Sequence, residues 1–209
     1  LQWLGLTWDK GPYYQSKRTE LYQEALLDLK HQGLLYPCFC SRADLHAAQA
    51  PHASDGTYVY AGTCRNLSQS EREELSTHKI PATRMQVPNA IYTFEDRVYG
   101  PTSQNLAESC GDFIVQRADG VFAYQLAVVV DDADMGITEV VRGSDLLSST
   151  PRQLYLQDVL GLSHPVYAHL PLLVAPDGRR LSKRNHDLDL GVLRSQGKTP
   201  EEILGFLAY

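Results

Sequence analysis

The chain has 209 residues, 43% hydrophobic and 21% charged, with a net charge of −6, which is enough material for one cored domain or a domain with an insertion. The acidic balance argues against an unspecific nucleic-acid coat, whose affinity would come from neutralising phosphates, but leaves room for a local basic groove. No apolar run approaches the ~20 residues of a membrane span, and no basic segment precedes an apolar one at the start, so a cytoplasmic protein is expected; without an initiator Met, Leu1 is expected to lie inside a longer polypeptide.

Residues 16–33 read as a helix. Ser16 can cap it, Leu21, Tyr22, Ala25, Leu26 and Leu29 share one face, and Gly33 stands where a left-handed stop belongs. Pro37 breaks the pattern, and residues 38–88, rich in Ala, Ser, Gly and Thr, read as an insertion with its own staple. Phe113–Val115 predicts a strand. The continuously apolar, β-branched run Leu126–Val130 predicts a second strand, buried on both faces of a parallel sheet. Ile137–Val141 predicts a third. Thr150-Pro151-Arg152-Gln153 reads as a capping box with Thr150 as N-cap and Pro151 at the first helical position; Gly161 ends that helix, and Thr199-Pro200-Glu201-Glu202 opens another. Alternating strands and helices argue for an α/β fold.

Four places in this order carry chemistry. Cys38-Phe39-Cys40 puts two thiols on one short turn and Cys64 follows, which in a chain without a secretion signal points to a metal rather than to disulfides. A tetrahedral zinc needs a fourth ligand. Tyr60, His46, His52 and Asp55 are candidates, and the residue types alone rank a histidine first. Cys110 stands apart and reads as a packing residue. Tyr124 and Arg142 fall beside predicted strands at the sheet edge where α/β folds bind ligands; a phenol and a guanidinium fork there suit a small carboxylate, and equally a core-edge Tyr with a surface ion pair. His169 reads either as a nucleotide contact or, slightly preferred, as a satisfied edge histidine. Ala175 to Arg184 gathers four basic side chains and Ser182 behind the turn Pro176-Asp177-Gly178; such a loop suits a polyphosphate, with Lys183 as a mobile point charge, though the same string also describes a solvated basic turn. No Ser-His-Asp arrangement or Walker loop is present, which fits chemistry driven by positioning and charge stabilisation.

Several strings occur in the order found in the class I glutamyl-tRNA synthetase family. They are Leu6-Thr7-Trp8-Asp9, Pro12 to Ser16, Phe122 to Asp132, Gly136-Ile137-Thr138, Val141 to Leu146, Thr150 to Gln153, His169-Leu170-Pro171-Leu172 and the KMSKS-like Arg180-Leu181-Ser182-Lys183-Arg184. The chain resembles that family, and most closely its short glutamyl-Q branch. The resemblance implies a Rossmann-type parallel sheet, N-terminally incomplete, with a zinc-bearing insertion. Residues 1–36 would end the first half of the catalytic domain and 37–111 would form the zinc-containing insertion, similar to an acceptor-binding region. Residues 112–175 would be the second half, and 176–209 the KMSKS-like loop and the start of a helical segment. It implies one structural Zn2+ on Cys38, Cys40, Tyr60 and Cys64, because Tyr60-Ala61-Gly62-Thr63-Cys64 matches the family spacing and neither His does; the stretch between Cys40 and Tyr60 is longer than the family pattern. It further implies Tyr124 and Arg142 as glutamate ligands, and ATP, with Mg2+, on residues 180–184 with Lys183 catalytic.

The implied reaction is ATP-dependent activation of glutamate and transfer to queuosine at the wobble position of tRNA(Asp), by a monomer. The HIGH-like ATP motif is not in this chain, so the chain alone is expected to be inactive. Two other readings compete: a truncated glutamyl-tRNA synthetase charging tRNA(Glu), and a noncatalytic zinc-bearing tRNA-binding module. The Tyr-x-x-x-Cys spacing favours the glutamyl-Q branch over the first, and the intact Tyr124, Arg142 and Lys183 argue against the second.

Overall fold

A computed structural model describes residues 1–41, 43–44, 59–175, 181 and 189–208. The chain divides into two compact units, residues 15–170 and residues 1–14 with 171–209.

The larger unit holds two sheets and most of the core. Helix α1 (Thr19–His31) buries Tyr22, Ala25, Leu26 and Leu29, the face expected from the sequence. It begins at Thr19 with Arg18, not Ser16, as its N-cap. It ends as predicted: Gly33 takes φ 72°, its N–H reaches Lys30 O, and the Leu34 N–H reaches Leu29 O, so the last carbonyls are satisfied. Strands β1 (Leu35–Cys38), β2 (Ala82–Met85) and β5 (Phe113–Gln116) form an antiparallel sheet in the order β1-β2-β5. The second sheet has the order β4-β3-β7-β6, from β3 (Ile91–Asp96), β4 (Gly100–Asn105), β6 (Glu139–Gly143) and β7 (Val166–Leu170). β3 and β4 pair antiparallel as a hairpin, whereas β7 runs parallel to both β3 and β6. The fold is α/β, but one sheet is antiparallel and the other mixed, and the parallel arrangement expected from the sequence is confined to β3, β7 and β6.

The largest departure lies at residues 126–130. They are not a strand: Tyr124–Asp134 is an α-helix, α4. A short apolar run cannot by itself distinguish a buried strand from a buried helix. Here burial at Leu126, Ala127, Val129 and Val130 follows a helical stripe that packs with α1 and β5 in the main core, and that packing outweighs the modest helix cost of three consecutive valines. Asp131 and Asp132 therefore sit in the last turns of a helix rather than beyond a strand. Asp131 accepts from Tyr22 Oη (2.8 Å), Gln15 Nε2 (3.0 Å) and Arg18 Nε (2.7 Å), fastening α4 to α1. Burial, and then that hydrogen bond, push the Tyr22 phenol up to about 12.

Helix α5 (Thr150–Val159) follows a 3-10 stretch, Ser144–Ser149. Thr150 is inside the helix rather than its N-cap, because the helical backbone already runs through Ser149; Pro151 is therefore the second helical residue, one place later than expected but still in the first turn. The predicted capping box does not form: the Thr150 hydroxyl accepts from Arg142, and Gln153 donates to Gln125 (2.8 Å). Gly161, at φ 64°, does terminate the helix. The segment 38–88 is more regular than expected, containing α2 (Gln69–His78), whose capping box joins Ser68 and Glu71. A short helix, α3 (Leu106–Ser109), follows β4.

The smaller unit contains a 3-10 turn at Gln2–Leu4, α6 (Leu190–Ser195) and α7 (Pro200–Ala208). The Arg194 guanidinium lies 5.6 Å from the Trp3 ring centroid. The predicted box at Thr199 is formed: Glu202 N donates to Thr199 Oγ1 and Thr199 N to Glu202 Oε2. Among the described residues no helix is long and apolar enough to cross a membrane.

Candidate active site and cysteine cluster

Two sites emerge within residues 15–170. The first is built on β6 and β7. In their parallel register Arg142 stands beside His169, so the two side chains leave the same face of the sheet. The Arg142 Nε–H donates to His169 Nε2 (2.9 Å), and Nη2 donates to Thr150 Oγ1 (2.8 Å) and Leu146 O (3.4 Å). Nη1 makes no hydrogen bond among the described residues. Behind His169, its Nδ1 lies 2.6 Å from Asp96 Oδ2, and both residues are buried. Asp96 Oδ1 accepts the Val98, Tyr99 and His169 amides. Burial works against this charge, but the His169 and amide donors hold the carboxyl at about 2. The Tyr167 ring stacks on the His169 ring, with centroids 6.1 Å apart, and the Arg142 guanidinium carbon stands 5.2 Å from its centroid.

Tyr124 opens α4 and is half exposed. Burial pushes the Tyr167 phenol up, with the Gln157 hydrogen bond and the Arg142 charge opposing it. Burial raises Asp132, with Arg142 opposing it and Asp131 adding to it. A guanidinium with its inner edge tied down can bind a carboxylate at a fixed angle. Asp96 and Tyr167 carry no signal in the sequence, Thr150 reads there as a helix cap, and His169 reads only slightly more as an edge residue than as a nucleotide contact. No local motif marks them, because they meet only once β3, β6, β7 and α5 assemble.

The second site is the cysteine cluster. The Cys38, Cys40 and Cys64 sulfurs lie within 4.8 Å of one another. Tyr60 Oη stands 3.6 Å from Cys38 Sγ and 3.5 Å from Cys40 Sγ and accepts the Cys64 N–H at 2.8 Å. With usual zinc–sulfur and zinc–oxygen bonds, a regular tetrahedron separates sulfur from oxygen by about 3.5–3.6 Å, so this spacing suits a tetrahedral cation. Burial, followed by hydrogen bonding to the cysteine sulfurs, raises the Tyr60 phenol, and burial pushes Cys40 up to about 11. Cys64 is lowered: burial opposes its thiolate, but Tyr60, the Phe39 amide and the other thiols donate to it. His46, His52 and Asp55 lie outside the described residues, as do Arg180, Ser182, Lys183 and Arg184; Leu181 is described and half-buried. Cys110 packs in the main core, as expected.

Asp112 links the residue after Cys64 to the first sheet. It is buried and accepts from Tyr36 Oη (2.5 Å), the Val87 amide (2.9 Å) and Arg65 Nε (2.8 Å), with Arg65 Nη2 on its other oxygen. Arg65 directly follows Cys64. Gly111 pairs with Tyr60, and at φ 61° its missing Cβ would fall 2.6 Å from Tyr60 O.

A family model described as tRNA synthetases class I (E and Q), catalytic domain, matches residues 1–209. The chain is 50% identical to a glutamyl-Q tRNA(Asp) synthetase of Symbiobacterium thermophilum and 48% identical to one of Nitratidesulfovibrio vulgaris; each match covers 100% of this chain, and 68% and 67% of those relatives. A Neisseria meningitidis relative of the same name is 52% identical over 88% of this chain and 61% of its own length. Among solved structures, a glutamate-tRNA synthetase from Elizabethkingia anophelis superposes with a TM-score of 0.78 at 25% identity, over 97% of this chain and 48% of that one. The chain thus spans about two thirds of its sequence relatives and about half of that solved enzyme. It belongs to the class I tRNA synthetases (E and Q), through their catalytic domain, and within them to the glutamyl-Q tRNA(Asp) synthetase family.

Proposed function

We propose that the protein containing this chain activates glutamate with ATP and transfers the glutamyl group to queuosine at the wobble position of tRNA(Asp). The observation that carries this reading is the Arg142 guanidinium, tied on its inner edge to His169, Thr150 and Leu146. Arg142 and Tyr124 bind glutamate. The glutamate α-carboxylate attacks the α-phosphorus of ATP, forming a mixed anhydride and releasing pyrophosphate. A queuosine hydroxyl then takes the glutamyl group and AMP leaves. Neither step demands a strong base; positioning and neutralisation of phosphate charge supply the rate. Lys183, within Arg180-Leu181-Ser182-Lys183-Arg184, stabilises the phosphates of ATP, which enters with Mg2+.

Cys38, Cys40, Tyr60 and Cys64 hold one zinc, which supplies folding energy to the segment around it rather than chemistry. The donor spacing supports this assignment, with the phenol standing where a fourth ligand belongs. Division of the chain into catalytic halves around a zinc-bearing insertion at 37–111 follows from the same reading, as does action as a cytoplasmic monomer.

The test is glutamate-dependent ATP–pyrophosphate exchange without tRNA on the full-length protein, with Arg142→Ala beside it. Exchange that is lost in the variant is expected. Exchange that Arg142→Ala leaves unaltered would remove the glutamate assignment.

A further inference from the structure

We infer that Asp96 and His169 act as positioning residues, fixing the imidazole tautomer that aims Arg142 at glutamate. The inference rests on Arg142 being the glutamate ligand proposed above. A guanidinium has only donors. Its Nε–H points at His169 Nε2, 2.9 Å away, so Nε2 must offer a lone pair. The ring proton then resides on Nδ1 and is donated to Asp96 Oδ2 at 2.6 Å. The other Asp96 oxygen is occupied by three backbone amides, those of Val98 and Tyr99 at 3.0 Å and that of His169 at 3.2 Å. Those amides hold the carboxylate still, so the tip of the β3–β4 hairpin is wired to the ring.

The sheet provides the rest. Asp96 pairs with Tyr167 and Arg142 with His169, so the three side chains are brought together by strand register. The chain turns away after Asp96, and the carboxylate accepts the His169 amide that a continuing strand would have served. His169 is fully buried, so no water can replace Asp96 as acceptor without rearrangement. With the proton on Nε2 instead, two donors would face each other at 2.9 Å, and the guanidinium would have to swing off His169, taking its outward edge with it.

Asp96→Asn isolates this device. The amide oxygen can keep all three backbone bonds, while NH2 replaces Oδ2 and donates to Nδ1, which forces the proton onto Nε2. Shape is conserved and one hydrogen bond is reversed; in catalytic triads the equivalent exchange traps the wrong tautomer.

In the full-length protein, the KM for glutamate is expected to rise about 10- to 100-fold, with the KM for ATP unchanged. Ring 15N shifts of His169 should move from an Nδ1–H to an Nε2–H signature. A second pair keeps the test open if Asp96→Asn fails to fold. His169→Gln places an acceptor at the Nε2 position and His169→Asn does not, so the Gln variant should retain more glutamate affinity. A wild-type KM for glutamate in Asp96→Asn, or equal affinities in the two His169 variants, would overturn the inference. If Arg142→Ala also leaves that KM unchanged, the proposed function fails with it; if Arg142→Ala raises it, only the tautomer device is lost.

Discussion

Asp112→Ala should destabilise the larger unit more than a typical substitution does. The side chain is 1% exposed and accepts from Tyr36 Oη, the Val87 amide and the Arg65 guanidinium. Arg65 is one-third exposed and can turn to water, but the Tyr36 hydroxyl and the Val87 N–H cannot. Each buried group left unpaired costs about 1–3 kcal/mol, and removing one partner of a buried pair costs about 3–5 kcal/mol; these overlap, so the expected loss is about 4 kcal/mol. With a urea dependence of about 2–3 kcal/mol/M, the unfolding midpoint read by far-UV circular dichroism should fall by about 1.3–2 M. Asp112→Asn keeps an acceptor for Val87 and a donor for Tyr36 and should lose about half as much. A midpoint for Asp112→Ala within about 0.3 M of wild type would refute the view that this carboxylate joins the cysteine cluster to the sheet.

Gly111→Ala should release bound zinc, measured by elemental analysis, because its Cβ would push Tyr60 backbone atoms out of place; unchanged zinc content would contradict this. Lys183→Ala should slow pyrophosphate exchange by orders of magnitude with little change in melting temperature, and Cys64→Ser should do the reverse while losing metal; comparable melting temperatures in the two would contradict the assignments. Asp96 has a depressed folded pKa, so the stability it contributes is present above the ordinary carboxylate range, near 4, and is lost as pH falls toward about 2. Wild type should therefore lose stability more steeply between those values than Asp96→Asn, and parallel acid-unfolding profiles would count against this.

The parts legible in the sequence were those decided locally. The stops at Gly33 and Gly161 and the box at Thr199 depend on residues within one turn, and all three are found. The Cys-x-Cys pair needs only one more turn, the one holding Cys64, to close its cluster. The failures came where distant partners decide. Leu126–Val130 is helical because α1 and β5 offer one face to bury against, information absent from the run itself. Thr150 and Gln153 have the letters of a cap, yet Arg142 and Gln125 claim their side chains. Asp96 lies in a charged stretch, Glu95-Asp96-Arg97, that reads as solvent-facing until β7 is placed beside it and covers it.

Helix α5 has a consequence of another kind. Every residue from Ser149 to Gln157 is buried, including Thr150, Gln153 and Gln157, whose side chains bond to Arg142, Gln125 and Tyr167. An ordinary surface helix forgives changes every third or fourth position, where it faces water. This one has no such side over two turns. A saturation scan should show an unbroken block of intolerance there in place of a wave, and its amides should be among the last to exchange with deuterium.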